Sequence, residues 1–154
     1  MTAKIMKGIA TVLGAILSVS GCAATPIERE QVSTDNAPAA IGPYAQAVRI
    51  GATIYLSGQI ALDPSTGKMV RGGIEEQTHQ VLRNIREVLA AAGFSLNNVV
   101  QSQVFLSDLG DYAAMNEIYA SYFEEDPPAR AAVQVARLPR DALVEIMVTA
   151  ARSE

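Results

Sequence analysis

Two charged residues stand where a buried strand would ordinarily carry none. Arg130 enters the run Ala131-Ala132-Val133-Gln134-Val135, and Glu145 sits inside Leu143-Val144-Glu145-Ile146-Met147, with the turn Leu138-Pro139-Arg140-Asp141 between them. Burying either charge without compensation costs several kcal/mol, so each needs a partner or a ligand. A guanidinium fixed in a strand grips a carboxylate through charge-assisted hydrogen bonds worth about 1.5–3 kcal/mol each, which points to a small carboxylate ligand. Glu145, if it faces the same cleft, accepts a proton from water or bonds a substrate nitrogen. Two plainer alternatives stay open: a structural ion pair between Arg130 and Glu145, or an edge-strand glutamate that blocks unwanted pairing.

Other chemistries lack their residues. The chain holds a single histidine, His79, and a single cysteine, Cys22, so neither a His/Cys metal site nor a catalytic triad is expected. His79 reads most simply as an exposed helix residue. No glycine-rich phosphate loop is present, and no cofactor is expected.

The elements that must position Arg130 and Glu145 follow from pattern. Tyr44 to Arg49 alternates like a strand, Gly51-Ala52 turns it, and Thr53 to Ile60 is β-branched and aromatic enough to pair with it as a hairpin. Asp63-Pro64-Ser65-Thr66-Gly67 is a turn. From Ile74 to Ala92 the apolar positions Ile74, Val81, Leu82, Ile85, Val88, Leu89 and Ala92 share one helical face, opened by Glu75 and Glu76 and stopped by Gly93. Val99 to Leu106 is a strand. Asp108 or Asp111 caps a second helix from Tyr112 to Phe123, whose stripe is Met115, Ile118, Tyr119 and Tyr122. Arg130–Arg137 and Leu143–Ala151, joined by Leu138-Pro139-Arg140-Asp141 and expected to be partner strands, complete an α+β order of β-β-α-β-α-β-β. Two helices cover only one face of such a mixed sheet, so the other face is expected to meet another subunit.

The N-terminus reads differently. Lys4 and Lys7 precede an uncharged run from Gly8 to Ser20 that ends in Val19-Ser20-Gly21-Cys22, the layout of a secretory signal. The site resembles the lipobox of bacterial lipoproteins, with Cys22 as the acylated residue; an ordinary signal peptide and a soluble periplasmic product is the alternative. Residues 1–21 are thus expected to be a signal peptide, 22–36 a lipidated cysteine and tether without sustained period, and 37–154 the domain. The expected location is the periplasmic side of a bacterial membrane, held by the lipid alone. Ala23 lacks the aspartate associated with inner-membrane retention, which favours the outer membrane. The net charge of −4 becomes −6 once the two lysines of the signal are set aside, which leaves no electrostatic footprint for nucleic acid.

Three separated blocks carry a resemblance to a known family. Ala37-Pro38-Ala39-Ala40-Ile41-Gly42-Pro43-Tyr44-Ala45-Gln46, Ser57-Gly58-Gln59-Ile60, and Pro128-Ala129-Arg130 with Val133, Arg137-Leu138-Pro139 and Val144-Glu145-Ile146 closely resemble the RidA/YjgF reactive-intermediate deaminases, over about Asp35 to Arg152. The resemblance implies a chorismate-mutase-like fold, a homotrimer with clefts between subunits, and hydrolysis of 2-aminoacrylate- or 2-iminobutyrate-type substrates to 2-oxo acids and ammonia. It implies Arg130 as carboxylate anchor, Glu145 as the residue positioning water, and Tyr44, Ser57, Gly58 and Asn116 as further substrate-binding positions. Ala132 stands where many members carry cysteine, which imine hydrolysis does not need. A second reading is a non-catalytic trimer that binds small carboxylates in the cell envelope. A third, RNA cleavage or inhibition of translation, is opposed by the acidic charge and the export signal.

Overall fold

The computed structural model describes residues 28–153. The expected signal segment and Cys22 lie outside them. Six strands form one mixed sheet in the order β1-β2-β3-β6-β4-β5, and two helices, α1 (Ile74–Ala91) and α2 (Tyr112–Ala120), pack on one of its faces.

The hairpin of β2 (Ala47–Ile50) and β3 (Thr53–Leu56) closes through the two-residue loop Gly51-Ala52, with Ile50 opposite Thr53 and Gly51 at φ +57°. The strand expected to run to Ile60 stops at Leu56. Ser57 still donates its amide to the Gln46 carbonyl at 3.0 Å, the chain leaves the ladder at Gly58, and Gln59 meets β6 by exchanging backbone hydrogen bonds of 2.9 and 3.0 Å with Ile146. Helix α1 buries the apolar stripe read from the sequence as far as Leu89; Ala92 falls just past its end, half-buried, and Gly93, at φ +74°, follows as the stop. Its face also buries Gln77, Thr78 and Asn84, each satisfied: Thr78 donates to the Ile74 carbonyl, Asn84 to those of Ile60 and Leu62, and Gln77 accepts from the Leu143 amide.

Three expectations change. The stretch 23–36, read as a tether, contributes β1 (Arg29–Val32), antiparallel to β2. Only Val32 of that strand is buried, so no alternation marked it. Its pairing partner and the Gln46 side chain hold it: Gln46 accepts from the Thr34 amide at 2.6 Å and donates to the carbonyls of Thr34, Ala37 and Pro38. Second, β5 (Ala129–Gln134) and β6 (Val144–Ala151) are not neighbours. Strand β4 (Val99–Leu106) lies between them, parallel to β5 and antiparallel to β6. Helix α2 makes the crossover that lets β5 run parallel to β4, and the short link after β5 then carries the chain past it to the middle of the sheet. Third, His79 is half-buried, its Nδ1 3.1 Å from the Tyr122 hydroxyl.

Alternation along β6 sorts the two faces. Val144, Ile146, Val148 and Ala150 are buried beneath the helices, whereas Glu145, Met147 and Thr149 point to the face that carries no helix. Tyr55 and Val133 stand 51% and 46% exposed on that open face, large apolar surfaces of the kind that mark an interface.

Candidate active site: two half-sites on opposite sheet faces

Arg130 pairs in register with Ser102 of β4, a core-facing position, so its side chain is directed to the helix side of the sheet. There α2 presents Tyr112, Asn116 and Tyr119, spaced i, i+4 and i+7 and therefore on one stripe. Arg130 Nη2 donates to Asn116 Oδ1 at 2.6 Å and to Tyr112 Oη at 3.2 Å. The guanidinium carbon sits 4.4 Å from the centroid of the Tyr119 ring and 5.8 Å from that of Tyr112. A cation between two aromatic faces is attracted by both ring quadrupoles. Beneath it the hydroxyls of Ser102 and Tyr119 are enclosed without a well-formed hydrogen bond, and burial pushes the Tyr119 phenol up from its ordinary pKa, offset in part by Ser102 and the Arg130 charge. Among the described residues no carboxylate forms an ion pair with Arg130.

Glu145 belongs to the other face. It pairs with Phe105, one residue out of phase with the core-facing Val104 and Leu106, so the β4 backbone separates it from Arg130. The ion pair between the two charges is thereby corrected: strand alternation directs them away from each other. Nor is Glu145 an edge-strand charge, because β6 is flanked by β3 and β4. Burial raises the pKa of its carboxyl above the ordinary value near 4.5.

Gly58 lies against this carboxyl. A Cβ there would stand 2.8 Å from Glu145 Cδ and closer still to Oε1, so the absence of a side chain is what admits the glutamate. Glu145, Gly58, Ser57 and Tyr44 line one hollow of about 400 Å³, walled otherwise by Ile41, Ile60, Pro139 and Met147. Ser57 spends its hydroxyl proton on the Ala45 carbonyl at 2.7 Å, while Tyr44 is 49% exposed and its hydroxyl accepts from the Ile41 amide at 3.3 Å. Pro139 is set by a turn in which Arg140 and Asp141 both have φ near +55°, a costly conformation for residues with a Cβ. The Arg137–Asp141 ion pair at 2.7 Å and an Arg140 bond to the Gly67 carbonyl hold that turn.

The structure thus gathers Tyr44, Ser57, Gly58 and Glu145 on one face and Arg130 with Asn116 on the other; Cys22 lies outside the described residues. Sequence reasoning missed Tyr112, although its helical spacing from Asn116 and Tyr119 was a usable signal. It also missed Ile41, Ile60, Pro139 and Met147 as walls; of these only Met147, two residues beyond Glu145 in one strand, carried a local signal. Among the described residues no three His, Cys, Asp or Glu side chains converge as metal ligands. The arrangement offers a held cation for a carboxylate, and a carboxyl of raised pKa in a partly apolar hollow able to hold water.

Known proteins share this architecture. The family model described as Endoribonuclease L-PSP matches residues 34–152. A RutC family protein of Pyrococcus horikoshii is 53% identical over 118 residues, covering 77% of this chain and 94% of that one. The mouse protein named 2-iminobutanoate/2-iminopropanoate deaminase is 55% identical over 120 residues, covering 78% and 89%. The crystal structure of RidA from an Antarctic Psychrobacter superposes with a TM-score of 0.78 at 46% identity, covering 80% of this chain and 99% of that one. Two helices on one face of a mixed sheet, the three sequence blocks and these matches agree: the chain belongs to the RidA/YjgF family.

Proposed function

We propose that this protein hydrolyses 2-imino and 2-enamino acids to 2-oxo acids and ammonia, in clefts formed where the helix-side half-site of one subunit meets the open-face half-site of the next in a homotrimer. The observation that carries the reading is the placement of Arg130 and Glu145 on opposite faces of one sheet, each prepared for a ligand. A second copy brings a cation to a carboxylate hollow that one chain leaves without it. The names of relatives such as the mouse deaminase support the chemistry.

In this mechanism Arg130 binds the substrate carboxylate and Glu145 orients a water against the electrophilic imine carbon, which a 2-enamino acid presents once tautomerisation has moved a proton from its nitrogen to C3. The water oxygen bonds to that carbon as its proton passes through Glu145 to the nitrogen. Collapse of the resulting amino alcohol expels ammonia and leaves the 2-oxo acid. Positioning and electrostatics supply the acceleration, and no cofactor enters the scheme.

The test follows ammonia and 2-oxo acid release from 2-iminobutyrate made in situ. Arg130→Ala and Glu145→Gln should each lower kcat/KM by about 30- to 1000-fold, or about 2–4 kcal/mol. Mixing the two variants under conditions that exchange subunits should restore up to about a quarter of wild-type activity, because random assembly leaves that share of clefts with both residues native. Near-wild-type turnover by Arg130→Ala sinks the assignment, and no recovery on mixing sinks the shared cleft. A carboxylate-binding protein without turnover is the competing reading; it predicts that 2-oxobutyrate binds while wild-type protein leaves imine decay unaccelerated.

Export is a separate proposal. The basic and apolar N-terminal segment and its small-residue boundary support a lipid anchor at Cys22. Palmitate labelling that persists in Cys22→Ser would refute it.

A further inference from the structure

The partners of Arg130 imply a role for Tyr112 that its place at the start of α2 does not suggest. A carboxylate takes an arginine in two-pronged fashion either along Nη1 and Nη2 or along Nε and Nη2, and both grips need a hydrogen on Nη2. Nη2 carries two hydrogens. Here both have acceptors, Asn116 Oδ1 at 2.6 Å and Tyr112 Oη at 3.2 Å. The two bonds are unequal. Asn116 holds the shorter one at a partly buried position, whereas the Tyr112 bond is long and its residue is 40% exposed. A carboxylate seeking both prongs therefore competes with Tyr112, not with Asn116.

We propose that Tyr112 is a carboxylate-binding residue that exchanges roles: its hydroxyl holds the position one carboxylate oxygen takes on Arg130 Nη2, and on displacement it donates its own proton to that carboxylate. This rests on Arg130 being the carboxylate anchor. The exchange favours binding, because a long bond to a neutral phenol oxygen is replaced by an O–H donor facing an anion, which forms short and strong hydrogen bonds. Ring placement keeps the hydroxyl near the guanidinium throughout, since Tyr112 also contributes a face to the cation at 5.8 Å. Asn116 remains on Arg130 in both states. In this scheme it is a positioning residue for the guanidinium. Tyr119, buried and with its ring 4.4 Å from the guanidinium carbon, is the fixed platform.

The experiment compares wild type, Tyr112→Phe and Arg130→Ala for turnover of 2-iminobutyrate and for competitive inhibition by 2-oxobutyrate. Phenylalanine keeps the aromatic face and removes only the hydroxyl. Tyr112→Phe should raise KM and the inhibition constant of 2-oxobutyrate together, by about three- to tenfold, with kcat changed less than about twofold. A neutral imine lacking the carboxylate should react equally with both proteins, a result that a merely structural role for the hydroxyl would not produce. Unchanged KM and inhibition in Tyr112→Phe, with Arg130→Ala strongly impaired, overturns the role of Tyr112 and leaves the anchor standing. Indifference to Arg130→Ala overturns both.

Discussion

At the scale of the residue, the contact between Gly58 and Glu145 decides more than either residue type suggests. The atoms a Cβ at position 58 would strike are the outer atoms of the Glu145 side chain, which can swing aside, so Gly58→Ala should cost less than about 1 kcal/mol of stability in urea unfolding. The swing misplaces the carboxyl, and kcat/KM should fall about 10- to 100-fold in the deaminase assay, as displacements near 1 Å commonly do. A fall in stability larger than the fall in activity would show that Gly58 serves the fold and not the glutamate. Arg130 and Glu145 were legible in the sequence because each charge broke an apolar run. What they face was not, since alternation gives a face only once the neighbouring strand is known. Asn116 was picked out by resemblance, and its bond to Arg130 needed the helix and strand brought together.

At the scale of the element, the two helices and five of the strands follow from periodicity, and the hairpin from Gly51-Ala52. The failures share a cause. Strand β1 buries one side chain, and the adjacency of β5 and β6 was inferred from a short link; both depend on pairing partners that no local pattern encodes. The buried polar residues of α1 tell a related story. Asn84 reads as a flaw in an apolar stripe until the carbonyls of Ile60 and Leu62, on the segment just beyond Gly58, are seen to need a donor. Because β1 caps the β2 edge through four backbone pairings and Val32, a chain beginning at Thr34 should still fold. It should lose about 1–3 kcal/mol in urea unfolding, with an edge newly open to association. Unchanged stability would mean that β1 merely lies along the sheet.

At the scale of the whole molecule, the charge balance and the open sheet face were both visible early, the first by counting and the second by having too few helices for two faces. Subunit number was not, because nothing in a single chain's periodicity reports how many copies gather. The placement of Arg130 and Glu145 on opposite faces, joined with the proposed clefts, has a consequence for how the protein behaves on dilution. A separated chain keeps its core, since the buried cluster lies between the sheet and its own helices, yet it owns two incomplete halves of different clefts. Turnover per chain should then fall with protein concentration below the assembly constant while the circular dichroism of the fold persists, the mark of mass action. A constant rate per chain down to concentrations where sedimentation finds monomer would place a complete site within one chain. Under that proposal catalysis is a collective property: the rate depends on how often one chain finds another, as well as on what each chain is.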